Sequence, residues 1–200
     1  MFKKFLDEIL VALRMTGLTL LLTVVLYPAA VTLLAGLLLP GPAGGSLLRD
    51  EQGRVVGSLL IAQRFTGAGY FHPRPSAAGA AGYDAAFSGG SNLGPTSRAL
   101  RERVAAAAAR LLRENPLATP PVPLELVTTS ASGLDPHLSP AAVRWQLPRV
   151  AAARRVEPAR LARLVVDAVT GPDLGLLGEP RVDVLALNLA LDRLLGRAHP

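Results

Sequence analysis

The stretch MTGLTLLLTVVLYPAAVTLLAGLLL (residues 15–39) decides how this chain is organised, because its 25 residues carry no charge and are mostly Leu, Val, Ala and Thr. A bilayer-spanning helix needs about 20 such residues at roughly 1.5 Å rise each, so the stretch predicts a tilted transmembrane helix. A cleaved signal peptide has an apolar core of only about 7–15 residues before a small-residue cleavage site. Here Pro40, Gly41 and Pro42 follow a much longer run. We therefore predict an uncleaved signal anchor.

The composition of the whole chain is that of a folded protein. Half of the 200 residues are hydrophobic, 18% are charged and only 9 are aromatic. A chain this apolar can bury enough surface to offset the conformational entropy lost on folding, which excludes disorder. The sequence has no cysteine, which excludes disulfide frameworks, thiolate zinc sites and cysteine nucleophiles.

Charges on either side of the apolar stretch predict its orientation. Lys3, Lys4 and Arg14 precede it, whereas Arg49 and Arg54 follow it closely. Because basic residues favour the cytoplasmic side, this bias favours a cytoplasmic N-terminus. We therefore predict three parts: residues 1–14 as a cytoplasmic stub, 15–39 as the transmembrane helix and 40–200 as an extracytoplasmic domain.

The predicted domain carries a net charge of +5, since residues 40–200 contain 18 arginines, 13 acidic residues and no lysine. Arginines alternate with acids along predicted helices, as at Arg101, Glu102 and Arg103. Such alternation is typical of a solvated helix face, and no aromatic residues interleave with it. The pattern argues against nucleic acid and favours an anionic membrane surface or an acidic partner face.

Hydrophobic periodicity and capping residues divide this domain into short strands and amphipathic helices, which predicts an α+β fold. Ser139 and Pro140, for example, supply an N-cap followed by proline at the first helical position. In chain order we expect a proline- and glycine-rich linker over 40–45, a hairpin over 47–60, a strand over 57–65, a helix over 96–115, a strand over 124–129, a turn over 130–136, a helix from Ser139 through Val150, a helix from Pro158 to Gly171, and a strand running into a helix over 182–195.

Residues 66–97 predict a long ordered loop. They hold seven glycines and three prolines in 32 positions. A flexible linker would not carry aromatic rings, so we expect this loop to pack on the domain or on a partner. Five of the six aromatic residues of the domain lie at or inside the segment: Phe65, Tyr70, Phe71, Tyr83 and Phe87.

The sequence SGGSNLGPT (residues 88–96) precedes a predicted helix and is a candidate anion site. Glycines let backbone N–H groups converge, and a helix N-terminus adds positive potential that suits a phosphate or carboxylate. A Walker-type phosphate loop also needs a lysine, which the domain lacks. The alternative is a tight turn that requires glycine dihedrals. The candidate nucleotide-binding residues are Ser88, Gly89, Gly90, Ser91, Asn92 and Gly94, with Tyr83 or Phe87 stacking on the base.

The sequence YFHPRPS (residues 70–76) combines a ring, an imidazole and a guanidinium in a segment stiffened by proline. One interpretation is an anion or partner contact in which Arg74 is the directional donor. The other is a structural plug that docks the loop, because proline-fixed segments with rings are common packing devices.

The sequence TTSASGLDPH (residues 128–137) contains the residue types of a nucleophilic hydrolase, with Ser130 or Ser132 beside His137. No Gly-x-Ser-x-Gly elbow accompanies them, and Asp135 followed by proline is equally typical of a turn. An anchored extracytoplasmic hydrolase is therefore an alternative hypothesis. The histidines lack acidic neighbours at metal-ligand spacing, so we predict no metal site.

Four of these segments follow the single span in order: residues 70–76, 88–96, 128–137 and LGEPRV at 177–182. In that order the chain closely resembles the KdpC family, the C subunit of the Kdp high-affinity potassium-transporting P-type ATPase, from the span to Asp192. The resemblance implies a non-catalytic, single-pass subunit of the bacterial plasma (inner) membrane. It also implies three partners: a channel-like A subunit, an ATP-hydrolysing B subunit and a small F subunit.

The resemblance implies a role as a catalytic chaperone that raises the ATP affinity of the B subunit, with potassium as the transported ion. The family's comparison with the Leu-Ser-Gly-Gly-Gln signature of ABC transporters falls here on residues 87–91, which lack the glutamine. Because the predicted topology places the domain outside, we expect ATP to act through the complex rather than by direct contact. Motif residues expected to serve partner or structural roles are Phe71, His72, Pro73, Arg74, Ser132, Asp135, His137, Glu179 and Arg181.

Overall fold

The computed structural model describes residues 1–50 and 52–197. The predicted hairpin residue Glu51 and the end of the predicted domain, residues 198–200, lie outside the described residues. The chain divides into two compact units, Met1–Leu47 and Leu48–Pro200.

The first unit contains one helical stretch of 37 residues, Phe2–Leu38, which is long and apolar enough to cross a membrane. A π-helical turn in its middle ends at Leu26, two residues before Pro28. Proline has no N–H and its ring displaces the carbonyl one turn earlier, and a wider turn accommodates both effects. The helix includes residues 15–38 of the predicted span and most of the predicted 1–14 stub. Its segments are α1 (Phe2–Leu20), the π-helical turn (Leu21–Leu26) and α2 (Tyr27–Leu38).

The segment after this helix departs from two predictions. The predicted linker over 40–45 contains the short helix α3 (Pro40–Ala43). The predicted hairpin is present as β1 (Leu47–Arg49) paired with β2 (Val55–Ser58). The predicted strand over 57–65 is wrong beyond Ser58, where β2 ends. Beyond Ser58 the backbone turns, because the Ser58 hydroxyl accepts from the Leu60 N–H and no neighbouring strand is available for pairing among the described residues.

The described part of the second unit contains four α-helices, and the starts of two of them follow serine capping residues. The Ser97 hydroxyl accepts from Leu100 N–H at 3.3 Å, and the Ser139 hydroxyl accepts from Ala142 N–H at 3.2 Å. The predicted stop at Gly171 is late, because the third of these helices ends at Asp167. The helices are α4 (Arg98–Glu114), α5 (Pro140–Arg154), α6 (Pro158–Asp167) and α7 (Val184–Leu195).

The second two-stranded sheet joins distant parts of the unit: β3 (His137–Leu138) pairs antiparallel with β4 (Val182–Asp183). The predicted strand running into the last helix is therefore confirmed. The predicted strand over 124–129 is wrong, since Leu124–Leu126 form a 3₁₀ helix. Thr128 N–H and Val127 N–H both donate to the Leu124 carbonyl, so this backbone is satisfied locally. The mixture of helices and strands fits the α+β prediction.

The core of the second unit surrounds α5. Buried side chains of α5 share one core with buried side chains of α6 and α7. The fully buried Phe71 brings the loop over residues 66–97, which we call the aromatic loop, onto the same core. The loop is thus an ordered, packed segment, as predicted. The buried contributors from the three helices include Val143, Leu147, Val150, Leu161, Val165, Leu187 and Leu191.

Candidate interaction site

Two amide side chains hold the aromatic loop by its backbone. Asn188 accepts from Phe71 N–H and donates to the Phe71 carbonyl, both at 2.9 Å. Gln146 does the same for His72, at 2.8 Å and 3.0 Å. Each amide therefore satisfies the donor and the acceptor of one residue, as a neighbouring strand would. The ring-bearing segment is docked as a plug on α5 and α7.

Arg149 and Arg154 on α5 fix the loop just before this point. Arg149 donates to the carbonyls of Ala68 and Tyr70 at 2.6 Å and 3.0 Å. Burial lowers the pKa of Arg149 to about 10, so the guanidinium stays charged at neutral pH. Arg154 donates to the Gly69 carbonyl at 2.8 Å and stacks on the Tyr70 ring at 4.6 Å.

Sequence reasoning did not identify Arg149, Arg154, Gln146 or Asn188. A signal was available for one of them: Arg149 stands between Leu147-Pro148 and Val150-Ala151, in an apolar part of the α5 sequence. A charge in such a position needs a buried partner. The partners lie about 80 positions away, at Ala68 and Tyr70, and no local pattern identifies them.

His72 is a neutral docking residue in this structure. Its Nε2 lies 3.0 Å from the Gly67 carbonyl oxygen and 3.5 Å from Arg149. Burial, and then the Arg149 charge, hold the pKa of His72 below its ordinary value of 6.5. The imidazole therefore carries no charge at neutral pH.

Arg74 connects the aromatic loop to the turn over residues 128–137. Its guanidinium donates to the Thr129 carbonyl at 3.2 Å and pairs with Asp135 at 3.4 Å. Its carbonyl accepts from the Tyr83 hydroxyl at 2.7 Å. Arg74, the predicted directional donor, thus donates to groups of its own chain. Its neighbour Pro73 is buried. An open cleft of about 690 Å³ lies alongside, lined by Arg74, Asp135, Ser88, Ser130 and Ser132 among others.

The segment over residues 88–96, which we call the glycine-rich loop, is hydrogen-bonded to the same turn over residues 128–137. Gly89 N–H donates to the Ser132 carbonyl at 2.7 Å, and the Ser88 hydroxyl donates to that carbonyl at 3.2 Å. Gly133 has φ +68°, and a Cβ there would lie 2.5 Å from the Gly89 carbonyl oxygen. A Cβ on Gly90 would lie 2.9 Å from a carbonyl of the turn. Gly90 and Gly133 permit close backbone approach. Gly133 has a positive φ, whereas Gly89, Gly90 and Gly94 do not, so the loop glycines do not adopt the special dihedrals of the tight-turn alternative.

Part of this loop is already hydrogen-bonded within the chain. Gly89 N–H is already bonded, and Ser97, beyond Gly94, uses its own hydroxyl to cap α4. Arg103 donates to the Ser91 hydroxyl at 3.1 Å, which places a cation at the loop. Asn92 and Gly94 lie exposed beside it. Of the two rings expected to stack on a base, Tyr83 is half-buried and hydrogen-bonded, whereas Phe87 is exposed.

The candidate Ser, Asp and His residues do not assemble a nucleophile. The hydroxyls of Ser130 and Ser132 lie 3.4 Å from each other. His137 Nδ1 lies 3.6 Å from Asp135, whose carboxylate also accepts from His137 N–H. Among the described residues no hydrogen bond joins either serine to His137, so Asp135 works here as the predicted turn residue.

The segment over residues 170–181 forms a projecting hairpin, which we call the leucine arm. Thr170 and Arg181 exchange backbone hydrogen bonds at 2.8 Å and 2.9 Å, as do Asp173 and Leu177. Arg181 also pairs with the Asp173 carboxylate at 3.0 Å. The predicted motif residue Arg181 thus braces the arm, while Glu179 lies exposed on it.

Comparison with known proteins gives a consistent family. The family model for KdpC, described as "K+-transporting ATPase, c chain", matches residues 9–193. A "Potassium-transporting ATPase KdpC subunit" from Myxococcus xanthus is 63% identical over 98% of this chain and 90% of its own length. Proteins of the same name from Nitratidesulfovibrio vulgaris and Methylobacterium nodulans are 59% and 56% identical, over 89% and 88% of this chain and 91% and 92% of their own lengths.

Proposed function

This chain belongs to the KdpC family, and we propose that it is the membrane-anchored accessory subunit of a high-affinity, ATP-driven potassium uptake complex. Its relatives are named as subunits of a potassium-transporting ATPase, and the chain itself is a non-catalytic subunit. Its partners are the channel-like A subunit, the ATP-hydrolysing B subunit and the small F subunit. The helix Phe2–Leu38 anchors it in the bacterial plasma membrane, with the N-terminus in the cytoplasm and the domain outside.

The observation that carries this proposal is how the motif residues are used. Arg74, Gly89 and Gly133 bind or approach other segments of the same chain. Motif residues that contact other segments of their own chain stabilise one conformation of the domain. This use is expected in a rigid subunit that other subunits contact, and it is not expected in a catalytic centre. Family membership supports the part of the proposal that makes those other subunits members of a potassium-transporting ATPase.

We assign the subunit a role as a catalytic chaperone that raises the ATP affinity of the B subunit. The effect is transmitted by protein contacts, since the domain lies on the side opposite to cytoplasmic ATP. The bonded state of Gly89 N–H and of the Tyr83 hydroxyl supports this route over direct ATP contact.

Deletion of residues 40–200 tests the proposal in the assembled complex. We expect the A, B and F subunits to lose co-purification or potassium-stimulated ATP hydrolysis, with a higher KM for ATP in any activity that remains. The control is Arg144→Ala, an exposed side chain on α5, which leaves both readouts unchanged. Potassium transport at the wild-type level after the deletion would contradict the proposal.

A second candidate function is a regulatory domain that binds nucleotide through Ser88, Gly90 and their neighbours in the loop. The observation that favours it is Arg103, a cation bonded to Ser91 at the end of the loop. Photo-crosslinking of the whole complex with an azido-ATP distinguishes the two functions. We expect label on the B subunit alone; label on this chain that disappears in Arg103→Gln would favour the second function.

A further inference from the structure

The leucine arm presents three leucines that its own unit does not cover. Leu174, Leu176 and Leu177 are 91%, 88% and 62% exposed. Apolar side chains scattered singly on a surface are normal, but three at the end of one short hairpin concentrate exposed apolar surface there, and we call this end the apolar tip. The backbone bridges and the Arg181–Asp173 ion pair hold this tip in a defined shape.

The backbone at the tip adds an independent observation. Leu174 has φ +54° and Gly175 has φ +75°, so both central residues of the turn are left-handed. Glycine or asparagine adopts this conformation at little cost, whereas a leucine there is strained. A strained leucine with an almost fully exposed side chain does not stabilise its own fold. The strain points to a use of that side chain outside the unit.

Charge on the arm indicates the kind of partner. Asp173 is neutralised by Arg181, while Glu179 makes no ion pair among the described residues. The arm therefore carries a net negative charge on a domain whose overall charge is +5. An anionic bilayer surface would repel it, whereas an apolar pocket with a cationic rim is complementary in both respects.

We infer that the leucine arm inserts its apolar tip into a pocket of another subunit of the transporter, one lined by apolar side chains and rimmed by a cation near Glu179. This inference rests on the proposed function, because that function supplies the partner. Leu174 and Leu176 are the anchors and Arg181 is the brace. Each leucine that becomes fully buried strengthens association by roughly tenfold or more.

The test is the double variant Leu174→Asn with Leu176→Ser, in the full chain co-expressed with its partner subunits. We expect the wild-type subunit to displace it from the complex at a roughly hundredfold advantage in competition. The matched control is Leu117→Ser with Leu124→Ser, two exposed leucines elsewhere on the unit, which should compete as wild type. Equal retention of the arm variant and wild type would overturn the inference.

Folding of the variant is checked separately by thermal unfolding. Relief of backbone strain is expected to change stability in the opposite direction to the loss of assembly. Because Leu174→Asn relieves a left-handed leucine, the thermal unfolding midpoint of the full chain should stay the same or rise while assembly is lost. A midpoint that falls together with assembly would show a merely structural arm.

A single cysteine at Leu177 separates a protein pocket from the bilayer. In the full chain alone, in vesicles of phosphatidylcholine and phosphatidylglycerol, a membrane-impermeant maleimide should label it. In the assembled complex it should be protected. If the cysteine is protected when the chain is in vesicles without its partners, the tip enters lipid. If the cysteine is labelled both there and in the complex, nothing covers the tip. Either result overturns the inference.

These outcomes are distinct from failure of the proposed function. If deletion of residues 40–200 leaves the complex intact, the function itself is wrong. If that deletion breaks the complex while the variant at Leu174 and Leu176 is retained, only the role of the arm is wrong.

Discussion

The aromatic loop and the leucine arm use apolar residues in opposite ways. The loop has almost no regular backbone bonding, yet Phe71 is fully buried and the backbone is held by side chains of α5 and α7. The arm is held by its own backbone bridges, yet Leu174 and Leu176 are almost fully exposed. Backbone regularity therefore does not tell which segment belongs to the core. Hydrogen bonds from side chains of distant helices to the backbone of a segment do indicate that the segment belongs to the core.

Removal of Arg149 should give the largest effect on the loop. Arg149→Ala deletes bonds to two loop carbonyls and to Gln146 and leaves these buried acceptors unsatisfied. We expect the free energy of unfolding to fall by about 3–5 kcal/mol, measured by chemical denaturation of the full chain in detergent. Arg144→Ala on the exposed side of the same helix is the control. A loss below about 1 kcal/mol would show that the loop is held elsewhere.

A methyl group at Gly133 should separate the turn from the glycine-rich loop. Gly133→Ala combines a left-handed φ with a Cβ 2.5 Å from the Gly89 carbonyl, and we expect a loss of about 2–4 kcal/mol in unfolding free energy. Gly171→Ala, where no atom lies within 4 Å of the new Cβ, should change stability little. Equal effects at the two glycines would contradict the packing described for this turn.

Acidification should weaken the loop through His72. Because the folded-state pKa lies below 6.5, the unfolded chain binds the proton more readily, and stability rises with pH in this window. The stability from neutral His72 is complete above pH 6.5 and declines as the pH falls through the folded-state pKa. His72→Gln keeps a neutral side chain, so its unfolding free energy should depend less on pH between 7 and 5. Parallel pH profiles for wild type and variant would refute this role.

The smallest effect on stability is expected at the arm. Leu176→Ser removes a side chain that is 88% exposed, so the unfolding free energy should change by no more than about 0.5 kcal/mol. Thermal unfolding of the full chain beside Arg149→Ala provides the comparison. A large loss at Leu176 would mean that the arm packs like the loop, and the contrast between the two regions would disappear.

The sequence predicts those elements whose signals are local. The apolar span, the Ser139-Pro140 start of α5 and the Val182 strand running into α7 follow from hydropathy, capping and periodicity. The strand expected over 57–65, beyond Ser58, and the strand expected over 124–129 fail, because a strand also needs a neighbour for pairing, and these segments satisfy their backbone groups locally.

The residues of the candidate site were predictable only in part, because the motifs do not include the docking residues Gln146, Arg149 and Asn188, and the arrangement was not predictable. The motifs include Arg74, Gly89 and Ser132, yet the groups that these residues contact lie 43 to 61 positions away along the chain. The same applies to the leucine arm: LGEPRV at 177–182 identifies Arg181, but only the fold shows that it braces Asp173. Contacts of this range depend on the packed core, which no local pattern encodes.

The side of the membrane on which the domain lies tests the central proposal most directly. Single cysteines at the exposed positions Thr96 and Ala153, with one at Lys3 for the other end, are unambiguous because the chain has no cysteine of its own. A membrane-impermeant maleimide added to intact spheroplasts should label the two domain positions, and Lys3→Cys only after permeabilisation. The reverse pattern would place the domain beside cytoplasmic ATP and contradict an external accessory subunit.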